Sequence, residues 1–252
     1  MAEREAPPDA FGRTAREYEL GRPEWPEELL DRVVADLELG REAEVLDLGA
    51  GTGKLTRALV QRFARVVAVE PDDAMREVLE ELVPAADSRA GSAEAIPLGD
   101  GEVDAVFCAE AFHWFASAET VAEIARVLRP RGALVLLFNV FTGEREPSLS
   151  AEAEAVLDEA FARGGEAGGG KVLSELWREP LAPVFEELRE DELEWQHGTD
   201  RDGWIASILS VSSIAHQPDE DRLALADRLR ELVPHGAVRR RFRTLAYWTR
   251  LR

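Results

Sequence analysis

Cysteine is nearly absent. Cys108 is the only one in 252 residues, so no disulfide can form within the chain. Lysine is almost as scarce: Lys54 and Lys171 stand against 28 arginines, a compositional bias from which no function is drawn. No apolar run approaches the length of a membrane span. The first residues, MAEREAPPDAFG, are acidic and lack the apolar centre of a signal peptide, so the expected location is the cytoplasm. Basic charge is in deficit as well: 50 Asp plus Glu oppose 30 Lys plus Arg, a net charge of −20. Such a charge repels nucleic-acid phosphates and anionic membranes at long range, and neither is expected as a partner. The cluster Arg239, Arg240, Arg241 and Arg243 is the local exception, read as the solvated approach to a last strand rather than as a basic patch. Several catalytic patterns are missing. There is no G-x-x-x-x-G-K-[ST] phosphate loop, no G-x-S-x-G elbow and no Tyr-x-x-x-Lys relay. No His, Cys and acid set stands at ligand spacing, so no metal is expected. There are no internal repeats. What is present is an ordinary 45% hydrophobic content and a length suited to one sizeable domain with insertions, or a domain with a small cap.

The informative stretch is Glu44 to Thr56, EVLDLGAGTGKLT. Val45, Leu46 and Leu48 make the apolar run of a buried strand. Gly49, Gly51 and Gly53 follow at every second position, and Leu55, Ala58, Leu59 and Phe63 then recur at helical spacing. A strand therefore turns through glycines into a helix. Glycine is needed where the backbone turns at positive φ or where a ligand must touch the main chain. The helix start points free N–H groups and a partial positive charge at the turn, a place for a carboxylate or phosphate. Dinucleotide folds use G-x-G-x-x-G, but here Lys54 stands where that pattern wants its third glycine. DLGAGTGKLT instead resembles the first motif of the class I S-adenosylmethionine-dependent methyltransferases.

Along the rest of the chain, Phe11, Ala15 and Tyr18 fall on one face of a short helix, broken by Arg22-Pro23 and Trp25-Pro26. EELLDRVVADLEL from Glu27 is an amphipathic helix expected to end at Gly40. Val66 to Val69 are a second strand with Glu70 at its tip, where a carboxylate can accept hydrogen bonds from both ribose hydroxyls of an adenosine. Asp72 and Asp73 suit the start of the next helix. A short third strand ends near Ala90, with Gly91-Ser92-Ala93-Glu94 beyond it. Val103 to Ala109 are a fourth, broken only by Asp104, with Glu110, Ala111, Phe112, His113 and Trp114 at its tip. TVAEIARVLRPRGALVLLFN gives a helix and a fifth strand. This alternation predicts a parallel sheet with helices on both faces and a ligand at the carboxyl ends of the strands. Thr142 to Pro180 is acidic and alanine-rich, with helical spacing at Val156, Leu157, Ala160 and Phe161 and a glycine-rich joint from Gly164 to Gly170. It reads as a lid or as a surface loop. Phe185 to His197 reads as the sixth strand, Trp204 to Val211 and Asp219 to Leu232 as helices, and Phe242 to Leu251 as the last strand.

The ordered set LDLGAGTGKLT, VVAVEPDDAM, GSAEAIPL, VDAVFCAEAFHWF and RVLRPRGALVLL resembles the small-molecule branch of class I methyltransferases, the group that holds the trans-aconitate and ubiquinone enzymes. The likeness is good over roughly residues 10 to 140 and weak beyond. It implies a doubly wound, seven-stranded, mostly parallel α/β sheet of Rossmann-like type, with an antiparallel last strand and a helical cap. Residues 1–40 would be the cap and 41–140 the cofactor-binding core. Residues 141–184 would be a helical insertion or lid, and 185–252 would complete the sheet of one domain. The implied activity is methyl transfer from S-adenosylmethionine to a small-molecule acceptor, leaving S-adenosylhomocysteine, by a monomer or homodimer. The cofactor contacts it implies are Asp47, Gly49, Ala50, Gly51, Gly53, Glu70, Pro71, Met75, Ser92, Ala93, Glu94, Ala109 and Glu110. Met75 reads equally well as packing. Tyr18 closing over the cofactor and Arg22 pairing with its methionine carboxylate complete the set, against a purely structural role for both in the cap. His113 is the candidate base. The stronger reading makes Phe112, His113 and Trp114 an aromatic wall for the acceptor. His197, His216 and His235 are assigned to surface or packing. Two rival classes stay open: a nicotinamide oxidoreductase, and a non-catalytic cofactor-binding protein on the same fold.

Overall fold

Seven segments are extended: β1 (Glu44–Leu48), β2 (Arg65–Val69), β3 (Asp87–Arg89), β4 (Val103–Ala109), β5 (Leu128–Glu146), β6 (Arg189–Asp200) and β7 (Ala237–Arg250). In a computed structural model that describes residues 15–164 and 176–252, they form one sheet in the order β3-β2-β1-β4-β5-β7-β6. β1 to β5 pair in parallel, and β7 runs antiparallel to both β5 and β6. This is the expected mostly parallel sheet with an antiparallel last strand. Strand order reverses between β1 and β4, and such a switch point opens a crevice at the strands' carboxyl ends.

The helices are α1 (Ala15–Gly21), α2 (Glu27–Asp36), α3 (Lys54–Arg62), α4 (Asp73–Leu82), α5 (Phe112–Phe115), α6 (Ala118–Val127), α7 (Ala151–Gly164), α8 (Arg201–Leu209), α9 (Ser212–Ala215) and α10 (Asp219–Leu232), with a 3₁₀ turn at Leu176–Leu181. Successive strand residues point to opposite faces, so each strand feeds two cores. Leu46, Leu48, Val106, Leu134 and Phe138 pack under α5 and α6 with Phe112 and Ile124. Val45, Phe107, Val135 and Leu137 face α2 and α3 through Leu29, Val33 and Leu59. A third cluster is mainly helical: Leu157 of α7 packs with Trp204, Leu209, Ile214 and Leu229 of α8, α9 and α10, and Val238 of β7 reaches into it. Asp104, the polar break in β4, accepts Arg129 Nη1 at 2.6 Å and the Glu44 N–H at 2.8 Å, so it ties three strands at the end of the sheet opposite the crevice.

Several boundaries differ from the sequence reading. α2 stops at Asp36 because Glu38 takes a left-handed turn (φ 51°) before Gly40 is reached. β6 begins at Arg189, while Phe185 is fully buried and makes only an isolated bridge to Leu251. β5 continues to Glu146, since Arg239 to Phe242 of β7 supply it with partners. The arginine cluster is therefore strand, not an approach to one. Arg240 points inward and is 8% exposed. Phe11 and the joint from Gly165 to Gly170 lie outside the described residues. No helix among the described residues is long and apolar enough to cross a membrane.

Candidate functional site

The turn after β1 runs through three glycines at positive φ, +71° at Gly49, +57° at Gly51 and +85° at Gly53. The N–H groups of Gly49 and Ala50 both donate to Val69 O, at 2.9 and 3.1 Å, which locks the turn to the end of β2. The three positions have different surroundings. A Cβ on Gly49 would sit 2.8 Å from Ala111 Cβ, and one on Gly53 would sit 3.0 Å from Val83 Cγ2. A Cβ on Gly51 would meet nothing within 4 Å. Gly49 and Gly53 are thus required by packing. Gly51 presents bare backbone to open space at the carboxyl end of the sheet.

Glu70, at the tip of β2, faces the same space. It is 8% exposed. Its Oε2 accepts the Gly51 N–H at 2.9 Å and its Oε1 accepts the Asp72 N–H at 3.0 Å. Burial pushes its pKa up, opposed by those two hydrogen bonds. Asp72 caps α4 by accepting the Met75 N–H at 2.9 Å, as the sequence suggested. Pro71 lies between the two acids. Met75 is 3% exposed and packs with Ala15, Val78 and Tyr18.

Asp47 is the most deeply placed acid, 1% exposed. Its Oδ2 accepts the Thr56 hydroxyl at 2.6 Å, and among the described residues its buried Oδ1 has no partner. Burial, helped by the nearby Glu70 charge, pushes its carboxyl up to about 7, and the Thr56 bond only partly opposes this. A buried carboxylate oxygen without a donor is a position at which a bound ligand can complete the hydrogen bonding. At the tip of β4, past the half-buried Ala109, Glu110 is left-handed (φ 55°) and its Oε1 accepts the Asn139 N–H at 2.5 Å. Burial raises its pKa too, opposed by that bond and by the Arg22 charge. Ser92 and Ala95 form a single bridge that closes the loop after β3; Ala93 is buried in the core and Glu94 is exposed.

The cap helix α1 covers these acids. Burial pushes the Tyr18 phenol up to about 12; the Arg22 charge opposes this, while Glu110, Glu70 and Glu19 add to it. Tyr18 therefore stands in the field of both strand-tip carboxylates. Arg22 lies 5.3 Å over the Tyr18 ring and donates to Ser210 Oγ and O, both at 3.0 Å. Glu19 fastens the cap to the glycine turn. It accepts Thr52 Oγ1 at 2.6 Å and Arg57 Nη2 at 2.7 Å, and Lys54 Nζ pairs with Glu24 at 2.8 Å. Lys54, the departure from the dinucleotide pattern, is thus a tie between turn and cap.

Of the three residues expected to form a wall, His113 and Trp114 lie side by side and half-buried, while Phe112 is turned into the core against Phe115 and Trp177 and offers no surface to an acceptor. The His113 ring is 4.9 Å from Trp114 and 5.8 Å from Phe138. Phe112 is fully buried and meets Trp177 edge-on at 6.3 Å. Trp177 in turn lies 5.3 Å from Phe138 and 5.1 Å from Tyr247. Sequence reasoning missed Phe138, Trp177, Tyr247, Asn139, Thr56 and Glu19. Phe138 and Asn139 come from β5, Tyr247 from β7, Trp177 from the 3₁₀ turn, Glu19 from the cap and Thr56 from α3, inside the glycine stretch itself, and no shared spacing joins them. Among the described residues no group of three His, Cys, Asp or Glu is placed to hold a metal ion.

The comparisons with known proteins agree with this geometry. The methyltransferase-domain family matches residues 46–136, from β1 into β5. An uncharacterized methyltransferase of Mycobacterium tuberculosis is 37% identical over 224 residues, covering 89% of this chain and 85% of that protein. An uncharacterized methyltransferase-like protein of Schizosaccharomyces pombe is 43% identical over 130 residues, 51% of each chain. A solved structure assigned to a type II methyltransferase of Anaeromyxobacter dehalogenans superposes with a TM-score of 0.65 at 25% identity, covering 91% of this chain and 97% of that one. With the glycine turn, the strand-tip acids and the sheet order in place, the chain belongs to the class I S-adenosylmethionine-dependent methyltransferases.

Proposed function

We propose that the chain methylates a small-molecule acceptor and that the cofactor lies across the tips of β1, β2 and β4. The observation that carries this is the open space in front of Gly51, next to the Glu70 carboxylate and the unpartnered Asp47 Oδ1. The residues fit an adenosyl sulfonium amino acid. Glu70 can accept two ribose hydroxyls, a charge-assisted pair of bonds. Gly51 offers bare backbone to the cofactor, and Gly49, Ala50 and Gly53 shape the turn that presents it. Asp47 and Glu110 supply negative charge toward cationic groups. Pro71, Met75, Ser92, Ala93, Glu94 and Ala109 border the adenosine. Tyr18 and Arg22 close the site from above and exclude water. When bound, the cofactor supplies an electrophilic methyl group for in-line displacement, which needs no metal and no covalent enzyme intermediate.

The protein's own contribution is placement in a dry site, which can supply much of the barrier reduction. The acceptor would rest against His113 and Trp114; Phe112, fully buried, is core packing rather than surface. His113 is the titratable side chain of the pair, suited either to shape the wall or to take a proton from the acceptor. A small-molecule acceptor and a cytoplasmic location accord with the net charge of −20.

Calorimetric titration with S-adenosylhomocysteine tests cofactor binding. Incubation of methyl-labelled cofactor with a metabolite extract then identifies the acceptor. Absence of cofactor binding overturns the proposal, and labelling of protein or nucleic acid in place of a metabolite overturns its small-molecule part. With the acceptor in hand, His113→Ala should lower turnover by roughly 10²–10⁴ if the imidazole is the base. If it is wall, acceptor KM rises more than turnover falls. Unchanged kinetics would remove His113 from the site.

A further inference from the structure

The candidate cofactor crevice is roofed. Glu70 lies beneath α1 and is 8% exposed, so a nucleoside reaches its carboxylate only when the roof moves. α1 has two seams, one against the glycine turn and α4, the other against α8 and α10. They are built differently.

The first seam is mainly ionic. Glu19 accepts the Thr52 hydroxyl and pairs with Arg57 at 2.7 Å and with Lys54 at 3.5 Å. Arg16 pairs with Glu81 of α4 at 3.3 Å, and both side chains are more than half exposed. The apolar part is small, Ala15 and Tyr18 against Met75 and Val78. A cleft of about 380 Å³ runs along this seam, lined by Arg16 and Leu20 of α1, Lys54 of α3, and Val78 and Leu82 of α4. Partly exposed ion pairs contribute little each and are screened by salt.

The second seam is backbone against backbone. A Cβ on Gly21 would lie 2.1 Å from Ser207 N, so α1 and α8 touch with no side chain between them. Arg22 donates to Ser210 Oγ and O, and Arg240 bridges Ser207 Oγ and Gly21 O. Arg222 of α10 is 7% exposed; it pairs with Glu17 of α1 and, at 3.1 Å, with Asp219 of its own helix. Parting a buried ion pair leaves an uncompensated charge and is strongly unfavourable. This seam therefore resists both salt and separation.

The chain changes sides at one point. Arg22 is bonded to Ser210, just past α8, whereas Glu24 pairs with Lys54 at 2.8 Å and with Arg57 at 2.9 Å, and Trp25 is buried with Leu29 and Leu59. Only Pro23 lies between Arg22 and Glu24. The helical cluster of α7 to α10 hangs on the outer end of the β5–β7–β6 ribbon, for α8 starts where β6 ends, at Asp200, and α7 follows β5. The β5–β7 register slips between Phe141 and Arg145, with Gly143 at φ +89°, a break at which a ribbon bends.

We propose that α1 moves with α7 to α10 as one gate, which parts from the glycine turn and α4 along the ionic seam to admit S-adenosylmethionine and turns on Arg22–Glu24 and on the β5–β7 register slip. This rests on the methyltransferase reading and describes how its site opens. The first described helix and the C-terminal helices, far apart along the chain, form one moving body.

Three exposed leucines mark the elements concerned: Leu20 on α1, Leu82 on α4 and Leu223 on α10. Cys108 is fully buried, so cysteines placed at these positions in pairs take spin labels without it. Electron paramagnetic resonance should show the Leu20–Leu82 and Leu82–Leu223 distances both changing by more than about 2 Å when S-adenosylhomocysteine is added, while Leu20–Leu223 stays constant. In free protein, raising salt from about 0.05 M to about 1 M should lengthen the first two and spare the third. A short bismaleimide joining Leu20→Cys to Leu82→Cys across the cleft should slow S-adenosylhomocysteine uptake and release by at least about tenfold, relative to the singly modified variants. The proposal is overturned if Leu20–Leu223 changes while Leu82–Leu223 does not, since α1 then moves alone. It is overturned equally if all three distances ignore both ligand and salt, or if the bridged protein exchanges ligand as fast as the single variants. Failure of S-adenosylhomocysteine to bind wild type counts against the methyltransferase reading instead, and the salt series on free protein then decides the gate by itself.

Discussion

Gly51 and Glu70 share one hydrogen bond, and substitutions at the two positions separate backbone access from side-chain recognition. Gly51→Ala places a methyl group in open space at φ +57°. Its backbone strain is about 1–2 kcal/mol, so the fold should persist while S-adenosylhomocysteine affinity falls. Gly51→Val should abolish that affinity. Gly53→Ala presses on Val83 and Leu79 as well and should lower the melting temperature more than Gly51→Ala does. Full cofactor affinity in a folded Gly51→Val protein would remove the turn from the site. Glu70→Ala should weaken the cofactor by about 1.5–3 kcal/mol, and it should no longer prefer the ribose form over a 2′-deoxy form. Glu70→Gln, which keeps one acceptor, should lose less. Asp47 adds a pH signature. Its folded pKa of about 7 lies above the ordinary aspartate value, so the folded state binds its proton more tightly than the unfolded chain. That contribution to stability is full below about pH 4 and is lost as pH rises through 7. Glu70 and Glu110 are raised in the same direction. Asp47→Asn should therefore melt with a smaller decline between pH 4 and pH 8 than wild type, and an unchanged pH profile would show that the acid is not buried as described.

At the scale of elements, the cap helix α1 is held by close approach and by charge. A Cβ on Gly21 would lie 2.1 Å from Ser207 N, so Gly21→Ala should push α1 off α8 and raise hydrogen exchange in both. Glu19→Gln removes one of two carboxylates shared by Lys54 and Arg57 and leaves a half-buried cation short of a partner. It should destabilise the cap by about 1–3 kcal/mol and make cofactor release faster. Unaltered protection of α1 amides in both variants would show that these contacts do not hold it. The sequence announced β1, its glycine turn and α3 because the change of hydrophobic period from two to helical spacing is local, and every residue that makes it lies between Val45 and Phe63. Cap and wall were only half legible. Glu19 reads as one of many solvated acids until the chain folds back 33 residues later onto Thr52. Trp177 and Tyr247 reach Phe138 from separate segments, and no periodicity connects them. Arg240 was misread for a related reason: in a run of arginines, only the pleat decides which one turns inward.

Across the whole molecule, the two largest apolar clusters are anchored on the sheet, while a third is carried mainly by α7 to α10 and meets the sheet at Val238, near the start of β7. Amide exchange should accordingly be slowest in β1 and β4 and faster in α7 and α10, and uniform protection would contradict a separately held helical cluster. The mixed sheet has another consequence. β7 is the last of the seven strands along the chain yet lies between β5 and β6. During synthesis β6 therefore leaves the ribosome before the strand that joins it to the rest of the sheet exists. Until Ala237–Arg250 emerges, β5 has one open edge and β6 has two, both exposed to chaperones and to other nascent chains. A ribosome stalled before residue 237 should hold a chain with β1 to β4 protected from protease and β6 cleavable, and release of the next 14 residues should close the sheet in a single step.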